Sequence, residues 1–328
     1  MKNKILIVGG HGYIGSILLP FFAKKNFKVT SLDNLIYNQK RKVKDKKNKI
    51  NFIKFDFRKK NLCYNLVKNN DTIIFLAGLV GDPITKKYPV ISKSINRFGI
   101  TKFIDIIKKF ENKHFIFVST CSNYGIIKKN LKAKESHKLF PLSSYAKDKV
   151  FIEKYIQKNL FKSKNFSTIL RFATAFGYSE RMRYDLTINQ FVKTLFFKKK
   201  LEVYDQDTFR PYCHVKDFAN IIFKVIQSKK IKTNNQIFNC GDNKNNFSKL
   251  SIAKKISRYF NYPNIQYRDL PSNDRRNYQV NFHKLNKKLR YKCKYNLDYG
   301  IKEMIYHLKK NKKHKNLKLG NYKINISK

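Results

Sequence analysis

Acidic residues are scarce. Against 72 Lys and Arg the 328 residues hold only 21 Asp and Glu, a formal net charge of +51. That imbalance excludes an acidic-tailed or calcium-buffering protein and makes polyanions natural partners, whether nucleic acid, a membrane surface or a phosphorylated metabolite. Cysteine is sparse too: Cys63, Cys121, Cys213, Cys240 and Cys293 are scattered, odd in number and form no C-x-x-C pair. A disulfide framework and a structural zinc site are thereby excluded, and a reducing cytoplasm is the expected compartment. No apolar run approaches the ~18 residues of a membrane helix, and the apolar stretch 5–8 is too short for a signal-peptide core. There is no internal repeat and no Pro- or Gly-rich linker, so any second domain is expected to be woven into the first.

What is present is apolar enough to fold. Hydrophobic residues make up 42% and aromatics 15%, too much for a disordered basic chain. Short β-rich runs at 5–8, 28–32, 50–55, 72–76, 114–119 and 167–172 alternate with helical patterns such as 14–25, 94–110 and 146–157. The alternation predicts an α/β fold, a Rossmann-type doubly wound parallel sheet with helices on both faces. The second half is less regular. A loop over 177–186 leads into a helix through 200, short strands follow at 201–204 and 236–239, then a helix over 248–260 and a polar segment through 277. The expected division is a first domain built on that sheet at 1–175 and a smaller, interleaved α/β domain at 176–308. A basic tail at 309–328, rich in Lys and Asn, is expected to lie loosely on the surface.

Gly9-Gly10-His11-Gly12-Tyr13-Ile14-Gly15 follows the first strand directly and opens a helical pattern. Glycine is required where the chain turns tightly, nears a pyrophosphate, or packs helix on strand. The helix N-terminus then presents N–H groups and a positive dipole end to phosphates. Asp33 closes the second strand, 18 residues beyond Gly15, where a carboxylate accepts from adenosine ribose hydroxyls and repels a 2′-phosphate. That favours NAD over NADP, although Lys40 and Arg41 lie nearby. Asp56-Phe57-Arg58 closes the third strand and is placed to meet the adenine edge.

Tyr145 and Lys149 stand four apart at a predicted helix start, on one face. A phenol titrating near ~10 needs a nearby cation to act as a base at neutral pH, and a lysine one turn away provides it. Upstream, Ser119-Thr120-Cys121-Ser122 ends the fifth apolar strand, and ligands of open α/β sheets sit at the carboxyl ends of strands. The Thr120 hydroxyl is placed there to bond a reacting oxygen.

The chain resembles an extended short-chain dehydrogenase/reductase of the NAD-dependent epimerase/dehydratase type, a family acting on nucleotide-activated sugars. The match runs from Lys4 to about Met304. It rests on the glycine loop, Asp33 with Asn34, Asp56-Phe57-Arg58, Leu76-Ala77-Gly78, Asn96 with Gly99, the strand end at Thr120, Tyr145 with Lys149, and Leu170-Arg171 leading to Phe176-Gly177. Later landmarks are 210–217, 238–241, 274–278 and Lys284. The resemblance implies a triad of Thr120, Tyr145 and Lys149, and NAD held by Gly9, Gly12, Tyr13, Ile14, Gly15, Asp33, Asn34, Asp56, Phe57, Leu76, Ala77, Gly78 and Asn96. It implies a nucleotide-diphosphate sugar as substrate. Arg210 and Arg276 match positions near the diphosphate; Arg181 and Arg183 lie on the loop that meets the nucleotide; Asn189 is a diphosphate or sugar contact on the next helix. Similar proteins are commonly dimers through a four-helix interface around the helix of Tyr145, and Val150, Ile152 and Ile156 allow that.

The family runs several reactions from one opening step. The 4,6-dehydratases carry an acidic pair just after the catalytic Thr, where this chain has Cys121 and Ser122, both expected to touch the substrate. Reductase–epimerases add a pair such as Cys with His, and no His partner is evident. C4 epimerisation, which needs only the triad and NAD, becomes the leading expectation. Asp82, in Val80-Gly81-Asp82-Pro83, is the one departure: a second acid/base there points to other epimerisations or a dehydratase, a helix cap to nothing catalytic. Two readings of other classes remain, a non-catalytic NAD-binding protein and an RNA-binding one. The intact triad opposes the first, and the spread of Lys without a recognisable RNA-binding motif opposes the second.

Overall fold

The computed structural model describes residues 4–39, 49–128, 130–268, 276–311 and 319–325. Lys40 and Arg41, and Asp274 and Arg275 of the 274–278 landmark, lie outside the described residues.

Seven parallel strands form the central sheet, in the order Gln236–Cys240, Phe166–Phe172, His114–Thr120, Thr72–Phe75, Lys4–Val8, Lys28–Asp33 and Ile50–Lys54. Strand order reverses between Lys4–Val8 and Thr72–Phe75, which opens a crevice at their carboxyl ends. Both faces are covered, so the strands are apolar throughout. Alternate residues go to opposite sides: Ile5 and Ile7 pack with Leu18, Phe22 and Phe218, whereas Leu6 and Val8 pack with Phe75, Phe103 and Ile152.

The edge strand Gln236–Cys240 comes from the second half of the chain, so the central sheet does not end at residue 175. Between Phe172 and Gln236, and again after Cys240, the chain leaves to build a smaller layer. Thr174–Phe176, Phe209–His214 and Asn246–Ser248 form a three-stranded sheet, and Leu201–Tyr204 pairs with Ile265–Arg268. A third cluster fills this part, with Phe191, Val203, Tyr212, Ile252, Ile301 and Met304 fully or nearly buried. The sequence pattern missed Phe209–His214 and the helices Val215–Gln227 and Leu297–Lys310.

Two expectations about helices need correction. The stretch read as one helix over 94–110 begins with a π-helical turn, Ser94–Gly99, before Ile100–Ile107 continues as α-helix. Ile152 and Ile156, expected on a dimer face, are fully buried in the protomer's own core, and Val150 is 8% exposed; Phe151 is the half-exposed apolar residue of Ser144–Asn159.

The tail departs furthest from expectation. Leu297–Lys310 is a helix, and residues 319–325 are tied down rather than loose. Ile324 is buried against the central core, the Tyr184 N–H donates to the Leu319 carbonyl (2.9 Å), and the Asn325 N–H donates to the Ile36 carbonyl (2.6 Å). Among the described residues no helix is long and apolar enough to cross a membrane.

Candidate active site

A cavity of ≈ 1070 Å³ opens at the carboxyl ends of the strands, on the switch point. Its floor is the glycine loop. Gly9 has φ +87°, and a Cβ there would lie 2.7 Å from the Ala77 nitrogen; one on Gly15 would lie 2.4 Å from the Gly10 carbonyl oxygen. Side chains are therefore excluded where the strand turns into the helix Gly15–Lys24, and the backbone is bare towards the cavity at Gly9, Gly12 and Gly15. Asp33 stands beside this loop. Its Oδ2 accepts from the His11 N–H (2.9 Å) and its Oδ1 from the Leu35 N–H (2.8 Å). Burial nonetheless raises its carboxyl above the usual range, against those two N–H groups and the nearby Arg181. A carboxylate so desolvated favours a hydroxyl donor and disfavours an added phosphate. The bare loop, the helix end and this carboxylate fit a dinucleotide.

Of the expected cofactor residues, Gly9, Gly12, Tyr13, Ile14, Gly15, Asp33, Asn34, Phe57, Leu76, Ala77 and Gly78 line the cavity. Tyr13 does so while tied elsewhere: its hydroxyl donates to the Gly177 carbonyl (2.6 Å) and accepts from Asn189 (2.9 Å). Asp56 does not line it. Its carboxylate is held by the Arg58 guanidinium, with Nε 2.9 Å from Oδ2, and by Asn34, which keep it low although burial pushes it up. Asn96 is likewise behind the wall. Its Oδ1 accepts from the Leu79 N–H (2.9 Å) and its Nδ2 donates to the Leu79 carbonyl (3.0 Å), so it fixes the loop after Gly78 rather than touching a ligand.

Thr120, Tyr145 and Lys149 all line the same cavity. Ser143 caps the helix Ser144–Asn159 by accepting from the Ala146 N–H (3.2 Å), which sets the first turn that carries Tyr145. Thr120 Oγ1 accepts from the Ser122 N–H (3.1 Å) and lies 2.9 Å from Ser122 Oγ. Lys149 Nζ donates to the Val118 carbonyl (2.8 Å) and sits 5.9 Å from the centre of the Tyr145 ring. Burial pushes the Lys149 amine down to about 8, with Glu153 and Asp148 holding it up. The Tyr145 phenol is pushed above its ordinary range by burial; Arg183 and Arg276 oppose the shift, and Asp82 and Tyr37 reinforce it. The cations that oppose this shift are thus arginines of the substrate side.

The substrate-side residues separate into two groups. Arg183, Arg210, Arg276, Asp82 and Ser122 line the cavity. Arg276 Nη2 pairs with Asp82 Oδ2 at 2.7 Å, Asp82 Oδ1 is buried with no hydrogen-bond partner, and Arg183 pairs with Asp185. The Arg210 guanidinium donates to the Arg276 carbonyl, coupling those two positions. Arg181 also lines the cavity, 4.8 Å from the Tyr37 ring and close enough to act on Asp33. Two expected contacts fail. Cys121 is 1% exposed, its thiol donates to the Arg171 carbonyl (3.1 Å), and burial drives its pKa upward, so it faces the core and forms no thiolate. Asn189 is fully buried and spends its amide on the Gly177 N–H, the Tyr13 hydroxyl and the Arg183 carbonyl.

Behind the triad lies a buried ion pair that the sequence did not single out. Glu153 and Arg171 are 1% and 3% exposed, with Nη2 2.6 Å from Oε2; Glu153 also accepts from Ser119 Oγ (2.5 Å) and Asn123 Nδ2 (2.8 Å). Also unforeseen were Tyr37, Lys249, Asn321 and Tyr322 in the cavity wall. Asn321 and Tyr322 carried no signal in a Lys/Asn-rich tail. Among the described residues no group of three metal-ligating side chains gathers.

Comparison with known proteins agrees with this geometry. Residues 5–241 match the model of the NAD dependent epimerase/dehydratase family. An uncharacterized protein of Methanocaldococcus jannaschii is 28% identical over 95% of this chain and 98% of its own length. A putative UDP-glucose 4-epimerase of the same organism is 25% identical over 73% of this chain and 77% of its own. The UDP-glucose 4-epimerase of Thermotoga maritima, solved with UDP-glucose, superposes with a TM-score of 0.82 at 21% identity, over 94% of this chain and 99% of its own, a likeness of fold. The glycine cradle, the desolvated Asp33 and the family match over most of the chain converge: it belongs to the NAD dependent epimerase/dehydratase family, with NAD as its cofactor.

Proposed function

We propose that the chain is a cytoplasmic nucleotide-sugar epimerase that inverts C4 through a transient 4-keto sugar, as a UDP-glucose 4-epimerase does. One observation carries the reading: Thr120, Tyr145 and Lys149 line the cavity that holds the glycine loop, while the two positions after Thr120 bring no acid to it. Cys121 faces the core, and Ser122 bonds Thr120. A dehydratase needs proton transfer at neighbouring carbons; a C4 epimerase does not.

NAD, which Gly9, Gly12, Gly15 and Asp33 would hold, would supply reversible hydride transfer at C4 when bound. Tyr145 removes the proton of the C4 hydroxyl and gives it back, so the sugar is neither oxidised nor reduced overall. Thr120 bonds the reacting oxygen. Lys149, held 2.8 Å from the Val118 carbonyl, keeps a cation beneath the phenol while protonated. Arg210 and Arg276 hold the nucleotide diphosphate and Arg183 closes on it, since guanidinium groups recognise such oxygens bidentately. A homodimer would pair the helices that carry Phe98 and Phe151, 57% and 41% exposed.

One observation favours a dehydratase instead, the Asp82 carboxylate inside the cavity with an unpartnered oxygen. The deciding experiment incubates the protein with NAD and UDP-, dTDP-, GDP- or CDP-hexoses in D₂O and follows the sugar by NMR. C4 inversion without deuterium at C3 or C5 is expected, and Tyr145→Phe should keep NAD bound while losing turnover roughly 10²–10⁴-fold. Deuterium at C3 or C5, or undiminished turnover in Tyr145→Phe, refutes the assignment.

A further inference from the structure

Residues 319–325 pass along the cavity, with Asn321 and Tyr322 in its wall, and are fastened to three separate loops. The Leu319 carbonyl accepts from the Tyr184 N–H, and the Gly320 carbonyl from Arg181 (3.3 Å). The Asn321 N–H donates to the Asp185 carboxylate, and its side-chain Nδ2 to the Val80 carbonyl (2.8 Å). Ile324 then plugs the central core, and the Asn325 N–H bonds the Ile36 carbonyl, three residues beyond Asp33. The strap thus spans from the substrate-side loop, over the loop after Gly78, to the loop after Asp33.

Asn321 is the residue whose chemistry is unfinished. It is 6% exposed, it lines the cavity, and its Oδ1 is buried with no hydrogen-bond partner. The bond from Nδ2 to Val80 fixes which end of the amide is oxygen. A buried amide oxygen without a donor is costly, so a ligand that brings one is favoured. The loop after Asp33, where the strap ends at Asn325, belongs to the dinucleotide half of the cavity. There a pyrophosphate offers only acceptors, and the ribose offers hydroxyl donors.

We propose that residues 319–325 are part of the cofactor site, a strap that closes over the bound dinucleotide, with Asn321 Oδ1 accepting from a hydroxyl of its adenosine ribose. The inference concerns retention of NAD and stands whatever sugar reaction the protein performs.

The test measures NAD binding directly, by calorimetry and by the rate at which NAD leaves the full-length protein. In Asn321→Leu the dissociation constant for NAD should rise about fivefold to tenfold through faster release, the size of one lost neutral hydrogen bond, while affinity for UDP is unchanged. Ile324→Ser, which loosens the strap without touching the cavity, should speed release in the same way. Unchanged NAD affinity in Asn321→Leu, or a loss of UDP affinity as large as that for NAD, overturns the proposal. Hydrogen exchange on the unsubstituted protein provides a readout that needs no variant to fold. NAD should slow exchange at the amides of Asn321 and Asn325 at least tenfold and UDP alone should not; equal protection with and without NAD also overturns it.

Discussion

Removing the charge of Glu153 tests how the floor beneath the triad is held. Its carboxylate is 1% exposed and meets Arg171 through Nε at 3.1 and 3.0 Å and Nη2 at 2.6 Å, with further bonds from Ser119 and Asn123. Arg171 in turn reaches the Tyr124 hydroxyl (3.1 Å) and the Glu135 carbonyl (3.2 Å). Water reaches neither partner, so Glu153→Gln leaves a guanidinium buried without its counter-charge. Breaking such a pair costs about 3–5 kcal/mol, a large share of the ~5–15 kcal/mol that holds a domain together. Removing both charges is different. In Glu153→Leu with Arg171→Met, Ser119 and Asn123 keep each other at 3.3 Å and Tyr124 keeps Asn239 at 2.7 Å, so few polar groups are orphaned. Urea unfolding followed by circular dichroism should therefore find the double variant more stable than Glu153→Gln. A loss below about 1 kcal/mol in Glu153→Gln, or a double variant as damaged as the sum of both single losses, refutes the reasoning.

Two titrations carry predictions of their own. Lys149 is pushed down to about 8 from 10.5, so carrying its proton costs the folded state about 3 kcal/mol below pH 8, and the cost lifts as pH rises towards 10.5, where the unfolded chain holds the extra proton. Lys149→Met should be about 1–3 kcal/mol more stable at pH 7, part of the gain being offset by the lost bond to Val118, while turnover disappears; a less stable variant contradicts this. Glu303 is held down to about 2 from 4.5: burial alone would raise it, but the hydrogen bond and charge of His214 and the ammonium of Lys216 prevail. Its contribution, about 3 kcal/mol, is present above pH 4.5 and drains away as pH falls towards 2. Glu303→Gln should flatten the acid limb of the stability curve in that window, and an unchanged limb would count against the pairing.

The parts legible in the sequence are those whose chemistry is local. The glycine loop is readable because Gly9 needs a positive φ and Gly15 a bare approach, and both are fixed within a dozen residues. Tyr145 and Lys149 are readable because one helical turn joins them. Facing is what the sequence hid. Thr120, Cys121 and Ser122 are consecutive, yet the tight turn that follows the strand sends Thr120 and Ser122 to the cavity and Cys121 to the Arg171 carbonyl. Asn189 sits on a helix beside the site but turns to Tyr13, 176 residues away in sequence. Long-range closure hid the rest. Asn321 bonds Val80 across 241 residues, and nothing in a Lys- and Asn-rich stretch marks such a contact. Gln236–Cys240 belongs to the central sheet only because the chain returns to it after building part of the smaller layer.

The charge of +51 acts on the site less than its size suggests, because the cavity spends its few acids there. Arg183 pairs with Asp185, and Arg276 with Asp82 at 2.7 Å. If Arg276 holds a nucleotide diphosphate, Asp82 competes for the same guanidinium and repels the incoming anion. The side chains of that pair are 20% and 27% exposed, so water weakens the competition to about 1 kcal/mol. Asp82→Asn should accordingly bind UDP about fivefold more tightly, with a smaller change at high salt, where both ion pairs are screened. Turnover separates the two roles open to this carboxylate. A gate on the diphosphate changes KM and leaves kcat within a fewfold, whereas a second acid/base loses kcat by about a hundredfold or more and leaves UDP binding as it was. Calorimetry with UDP alone decides the first point before any sugar is identified, and equal or weaker binding in Asp82→Asn removes the competition from the argument.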